Sequence, residues 1–359
     1  MSSLSPQVQK MLDAFSRKRD VTPEMVDNLR LALVASPLLV EQINQAIEEK
    51  HIKTFGLLDA SFKAGATYDG QRKSINVSRT GLIPAEKDWQ QSINDMTFVL
   101  GHEIQHGFNH AERQRANDEA VRQMDFIAKS KDPRNVYDDP VEYHIQASRS
   151  DEARAHIAGW NATLSQLARG DKQVTLDDIQ TAIPGRAKDF LEKIQATNRY
   201  QPKPGLTFNA DNSLSPTPGN IEMMGKYYYD NPENKIGHAE STYRNLDGAN
   251  ALSLAAEAQR RQAKPFRGQE PQFLVNMQSR GLEEGKLEIN GINLGKDGPN
   301  IRVSRTTTPV RDKCGPDSWI TQPKVTCLCR SLRRRLSHKK VVVRYSATLL
   351  IGTTRCTQS

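Results

Sequence analysis

No proline interrupts the chain from Asn94 to Gln114, and inside that stretch stands His102-Glu103-Ile104-Gln105-His106, two histidines four residues apart with a glutamate directly after the first. The stretch predicts a helix with two distinct faces. Leu100, Ile104, Phe108 and Ala111, spaced by 4, 4 and 3, form an apolar stripe on one side. On the other, residues four apart lie one above the other, so His102 and His106 can offer their imidazole nitrogens to a single ion. Glu103 sits about 100° around the helix, at the edge of that face. Two histidines leave room for a third protein ligand and a water, whose pKa a zinc ion lowers to near 7. Glu103 is then the base that takes the water's proton.

Ile104 and Gln105 are uncharged, and a hydrophobic residue, Phe108, follows two after the second histidine. This extended pattern resembles the zincin metallopeptidases, which implies Zn2+ as cofactor and hydrolysis of amide bonds. The metzincin branch requires a glycine and a third histidine at positions that here hold Asn109 and Glu112. His110 lies one turn on along the same straight helix, too far to close a tetrahedron with His102 and His106.

The gluzincin branch takes a glutamate from a later helix, and the resemblance to it points to Glu152. Ser148, Glu152, Ala155 and Gly159 fall at spacings of 4, 3 and 4, so small residues surround Glu152 on its face and allow a close approach to the His102 helix. His156, one turn later, is the alternative third ligand or a group that orients the site; a solvated strip of Asp151, Glu152 and Arg154 is the plain alternative. A zincin of this type also needs a downstream hydrogen-bond donor for the oxyanion, and Tyr243 and His238 are the candidates. It further carries a small sheet ahead of the active helix. Asp69-Gly70-Gln71-Arg72-Lys73, set between Ala64-Gly65-Ala66-Thr67-Tyr68 and Ser74-Ile75-Asn76-Val77-Ser78, predicts a hairpin there.

Ser5-Pro6, Thr22-Pro23 and Ser36-Pro37 each place a capping hydroxyl before proline at a first helical position, so three short helices are expected before the hairpin. Val174 to Asn198 reads as helical, divided at Pro184-Gly185, and Gln201 to Asn220 as a long surface loop. An alanine-rich helix is expected from about Gly248 to Gln262. The expected fold class is therefore α+β and mostly helical: a zincin-like metallopeptidase core with a small β-hairpin or sheet, an irregular C-terminal module and a basic tail. The divisions fall at residues 1–50 (N-terminal helices), 51–262 (metallopeptidase-like domain), 263–310 (small module) and 311–359 (tail).

The net charge of +8 is local. Residues 311–359 hold 11 of the 50 Lys+Arg and 2 of the 42 Asp+Glu, a net of +9, which leaves −1 for the remainder. All four cysteines lie there too. Cys327-Leu328-Cys329 lacks the spacing of a structural zinc knuckle, and Tyr345 is the sole aromatic residue after Trp319, so the stacking groups of a single-strand binder are missing. A solvated appendage or an abnormal reading-frame extension suits the tail better than a nucleic-acid patch. The expected partner is a protein or peptide substrate, a peptidoglycan peptide included. The rival class is a non-catalytic interaction module that makes anion or nucleic-acid contacts through the tail.

Mean hydropathy is −0.66, and the apolar run from Leu31 to Val40 is broken by Ser36-Pro37, so no membrane span is expected. The first residues lack the basic start and apolar core of a signal peptide. The stretches from Ser241 to Leu252 and from Leu287 to Gly295 are similar to C-terminal parts of bacterial effectors delivered by specialised secretion systems. That likeness implies a dedicated export route; a cytoplasmic location is the other.

Overall fold

A computed structural model describes residues 3–59, 64–83, 89–170, 172–232 and 241–292. His238, the last part of the small module and all of residues 311–359, to which the readings of the tail belong, lie outside the described residues.

The chain opens with α1 (Pro6–Ser16), α2 (Pro23–Ala35) and α3 (Pro37–Glu48). The side chains of Ser5, Thr22 and Ser36 accept hydrogen bonds from the amides of Val8, Met25 and Leu39, and a proline follows each cap. Each such cap contributes about 1 kcal/mol to its helix. The buried faces, with Leu12, Phe15, Leu29, Leu33 and Ile43, gather around a three-stranded sheet.

In that sheet β1 (Thr54–Leu57) pairs parallel with β3 (Ser74–Val77), and β2 (Ala66–Asp69) pairs antiparallel with β3 in the order β1-β3-β2. The β2–β3 hairpin is the one expected from Asp69-Gly70. Asp69 closes its turn by accepting from the amides of Gln71 and Arg72. Leu100 and Ile104 of the next helix bury against the sheet, as the apolar stripe requires, and Phe108 packs at its margin. Ala111 is exposed, so the stripe ends at Phe108.

The centre of the fold is a pair of long helices, α5 (Trp89–Ala128) and α6 (Asp138–Leu167), preceded by the one-turn α4 (Arg79–Leu82). Their cross-contacts run in opposite directions along the chain, Gly101 against Gly159, Asn109 against Asp151 and Arg113 against Ser148, so the helices are antiparallel. A strand in their connection, β4 (Arg134–Val136), pairs parallel with β7 (Gln272–Leu274).

Beyond α6 the structure departs from the sequence expectation. The helical reading of Val174 to Asn198 holds for α7 (Leu176–Ala182), with its Thr175–Asp178 capping box, and α8 (Pro184–Ala187). From there the chain turns into a hairpin, β5 (Leu191–Ile194) with β6 (Arg199–Pro202). Burial of Phe190 and Leu191 against Trp160 outweighs local propensity there. The expected surface loop from Gln201 to Asn220 buries Leu206 and Leu214 and is strapped by Asn220, which bonds both the N–H and C=O of Thr207 and the carbonyl of Ser215.

Next come α9 (Pro218–Met224), a π-helical turn (Gly225–Tyr229), α10 (Tyr243–Gln262) and α11 (Glu284–Ile289). The alanine-rich helix thus starts about five residues earlier than expected, at the Thr242 cap, whose hydroxyl accepts from the Asn245 amide. Phe273, Met277, Leu282 and Leu287 share one core with Tyr137, Val141, Ile145 and Leu252, so the packing runs across residue 262. The first core likewise runs across residue 50. The architecture is mostly helical with small sheets, and among the described residues no helix is long and apolar enough to cross a membrane.

Candidate metal centre

The face of α5 opposite the apolar stripe looks onto α6. His102 and His106, one turn apart, bring their Nε2 atoms to 3.0 Å, with the rings edge to face at 4.7 Å. Glu152 of α6 completes the group, its Oε2 3.4 Å from His102 Nε2 and its Oε1 3.7 Å from His106 Nε2. Ligand atoms at roughly 2.0–2.1 Å from a tetrahedral ion stand about 3.3 Å apart, close to all three separations. Glu152 Oε2 is buried and accepts no hydrogen bond, a lone pair aimed into the gap between the imidazoles. Among the described residues this is the group of His, Cys, Asp and Glu side chains whose donor atoms converge as a metal ion requires. The donor set of two imidazoles and a carboxylate fits such an ion.

The surroundings sharpen the fit. Asp151 Oδ2 lies 3.1 Å from His106 Nδ1, and Asp151 Oδ1 accepts from Asn109 Nδ2 at 2.8 Å. A carboxylate on the far ring nitrogen fixes the tautomer and leaves Nε2 for the ion. Burial lowers the His102 pKa, and the neighbouring His106 lowers it further, so this ring is neutral and carries a lone pair. For His106, burial acts downwards but Asp151 and Glu152 overcome it and push the ring up to about 10. Burial likewise pushes Glu152 up to about 8 and raises Glu103. Asp151 and Glu152 thus both face the His106 ring, and a divalent cation among these donors would compete with protons for them.

Glu103 stands apart from the ligand group. The residue is 7% exposed, and its carboxylate accepts from the Tyr68 amide on β2. The Ser78 amide bonds the Gly65 carbonyl, which sets the alternation of the β2–β3 ladder and turns the Ala66 and Tyr68 backbone groups outwards. Among the described residues no strand pairs with that outer edge.

His156, the alternative third ligand, stays outside the converging group. It is fully buried, its Nε2 lies 3.1 Å from Asp189 Oδ2, and its ring is stacked between Phe190 (5.0 Å, 2°) and Tyr228 (3.7 Å, 14°). It also meets the His102 ring edge to face at 5.9 Å. His110 is turned towards Tyr68, edge to face at 5.9 Å.

Tyr243, at the start of α10, shares a 2.7 Å hydrogen bond with Tyr228, and its pKa is raised by burial and by Glu152. Its phenol is therefore a protonated donor beside the site. Tyr228 is held by its π-turn, which Arg149 clasps from α6. That guanidinium bonds Glu222 of α9, ahead of the turn, and Asp230, just after it, and lies so close under Gly225 that a side chain there would collide with it. From sequence Asp151 entered only as part of a solvated strip, and Tyr228, Asp189 and Arg149 were not singled out. Only Tyr228, within Tyr227-Tyr228-Tyr229, left a visible signal.

No protein-family model matches the chain, and neither a curated protein nor a solved structure matches it.

Proposed function

We propose that this chain is a zinc metallopeptidase of gluzincin type, hydrolysing amide bonds in a protein or a peptidoglycan peptide. The observation that carries the reading is the convergence of His102, His106 and the Glu152 carboxylate, whose buried Oε2 accepts no hydrogen bond, beside a buried glutamate, Glu103, that is not part of the group. A bound zinc ion would supply Lewis acidity, bringing the pKa of water near 7 and polarising a carbonyl.

The remaining work falls to the chain. His102, His106 and Glu152 hold the ion, and Asp151 keeps His106 in the tautomer that presents Nε2. Glu103, raised by burial, takes a proton from the attacking water and returns it to the leaving amine. The Tyr243 hydroxyl donates to the oxygen that gains charge, with Tyr228 orienting it. The outward backbone groups of Ala66 and the Tyr68 carbonyl offer an extended peptide a strand to pair with, while the Tyr68 amide donates to Glu103.

The test is metal content and peptide cleavage on the full chain. About one zinc per chain is expected, lost in His102→Ala and in His106→Ala, with cleavage of a quenched-fluorescence peptide library only in the zinc-loaded wild type. Full zinc retention in both variants would exclude the centre.

A further inference from the structure

Arg186, on the short helix α8, belongs to none of the pairings described above. Its backbone is fixed: the Arg186 amide bonds the Ile183 carbonyl, and the flanking Ile183 and Ala187 are fully buried. Its guanidinium lies 5.6 Å over the ring of Phe98, one turn ahead of His102 on α5. The same group approaches within 3.8 Å of the position a Cβ would take on Gly65, the residue just before β2. Arg186 therefore stands between the start of β2 and the His102 helix.

The Arg186 side chain is half-buried. Among the described residues, however, no carboxylate forms an ion pair with it and no hydrogen bond engages its side-chain N–H groups. The carbon of the guanidinium sits over the Phe98 ring. The edge, which carries the donors and matches a carboxylate with two parallel hydrogen bonds, is left without a partner.

We infer that Arg186 anchors a carboxylate of the substrate, either an Asp or Glu side chain or the free C-terminus, lying within about three residues of the scissile bond. The inference rests on the hydrolytic reading above. The distance follows from the strand: Gly65, beside Arg186, is three residues from Tyr68, beside Glu103, or about 10 Å of extended chain. A peptide paired along the outer edge of β2, with its scissile bond at Glu103, brings a residue that far along it to the guanidinium. A single guanidinium on a rigid turn suits the one anion that peptides carry.

The experiment uses the zinc-loaded full chain and matched fluorogenic peptides with Asp, Asn or Lys at each of three positions on either side of the bond, and each with a free or an amidated C-terminus. Wild type should cleave one acidic member at least about 10-fold faster than its neutral counterpart. The position-specific Asp/Asn ratio identifies a side-chain carboxylate, and the acid/amide ratio identifies the C-terminus. Arg186→Ala should bring the ratio to about 1, Arg186→Lys should restore part of it, and Arg186→Glu should invert it in favour of Lys. A second readout is binding of the same labelled peptides to the Glu103→Gln chain by fluorescence anisotropy, where the acidic preference should again vanish in Glu103→Gln/Arg186→Ala. Cleavage without acidic preference, or a preference that Arg186→Ala retains, overturns the inference and leaves the peptidase reading intact. Acid-dependent binding through Arg186 without cleavage of any peptide retires the peptidase reading alone, and the absence of both retires both.

Discussion

Gly101 of α5 and Gly159 of α6 touch backbone to backbone: a Cβ on Gly101 would stand 3.2 Å from Gly159 Cα, and one on Gly159 would stand 2.7 Å from the Phe98 carbonyl oxygen. The two helices can approach this closely only without side chains at the crossing. Away from it they leave room for His102, His106, Asp151 and Glu152 to interleave. The convergence of His102, His106 and Glu152 thus depends on a packing contact two helical turns from the carboxylate.

Replacing Gly159 with Ala should therefore lower stability by about 1–3 kcal/mol, the cost of pushing apart a tight contact. Zinc affinity should fall with it, because Glu152 moves with α6. Urea unfolding and zinc titration check this, and unchanged values in both would show that the crossing is looser than its geometry indicates.

Glu103→Gln should keep the metal and lose hydrolysis by several orders of magnitude, about 4 kcal/mol or more of transition-state stabilisation. The measurement is zinc content beside single-turnover cleavage. Unimpaired turnover would eliminate Glu103 as the base.

The ligand and its supporting carboxylate separate by size of effect. Glu152→Ala should weaken zinc binding strongly, whereas Asp151→Asn and His156→Phe should cost at most the roughly 10- to 100-fold typical of groups that orient a ligand. Competition with a chelator of known affinity measures all three. Greater damage from His156→Phe would make the third ligand a histidine.

His144 gives a pH dependence away from the centre. It is 4% exposed, neither ring nitrogen has a hydrogen-bond partner, and its pKa is lowered to about 4 by burial and by Arg113, against the opposing pull of Asp247. Below about pH 6.5 the unfolded chain takes up a proton that the folded one refuses until about pH 4. Stability is flat with respect to this group above pH 6.5 and falls as pH drops through that window, by up to about 3 kcal/mol. Urea unfolding at pH 7.5 and pH 5.0 should show a smaller loss in His144→Leu than in wild type; an equal loss would assign the acid sensitivity to other groups.

Much of the local structure was legible from the chain alone. The caps at Ser5, Thr22 and Ser36 act within one helical turn, and the Asp69-Gly70 turn needs only its own residues, so the first helices and the hairpin could be written down without a fold. The spacing of His102 and His106 with Leu100 and Ile104 also encodes which face of α5 is polar. The small residues around Glu152 signalled a close helix contact. By contrast, the pairing of β4 with β7, the register that brings Asp151 to His106, the π-turn that delivers Tyr228, and the site of Arg186 beside Gly65 join segments about 40 to 140 residues apart. No period or turn chemistry links such positions. The sequence by itself determined which residue types could form a metal-binding face, because that depends on helix geometry within one turn. Only the tertiary structure decided which carboxylates, phenols and cations meet that face, because their meeting depends on how closely α5 and α6 pack at two glycines.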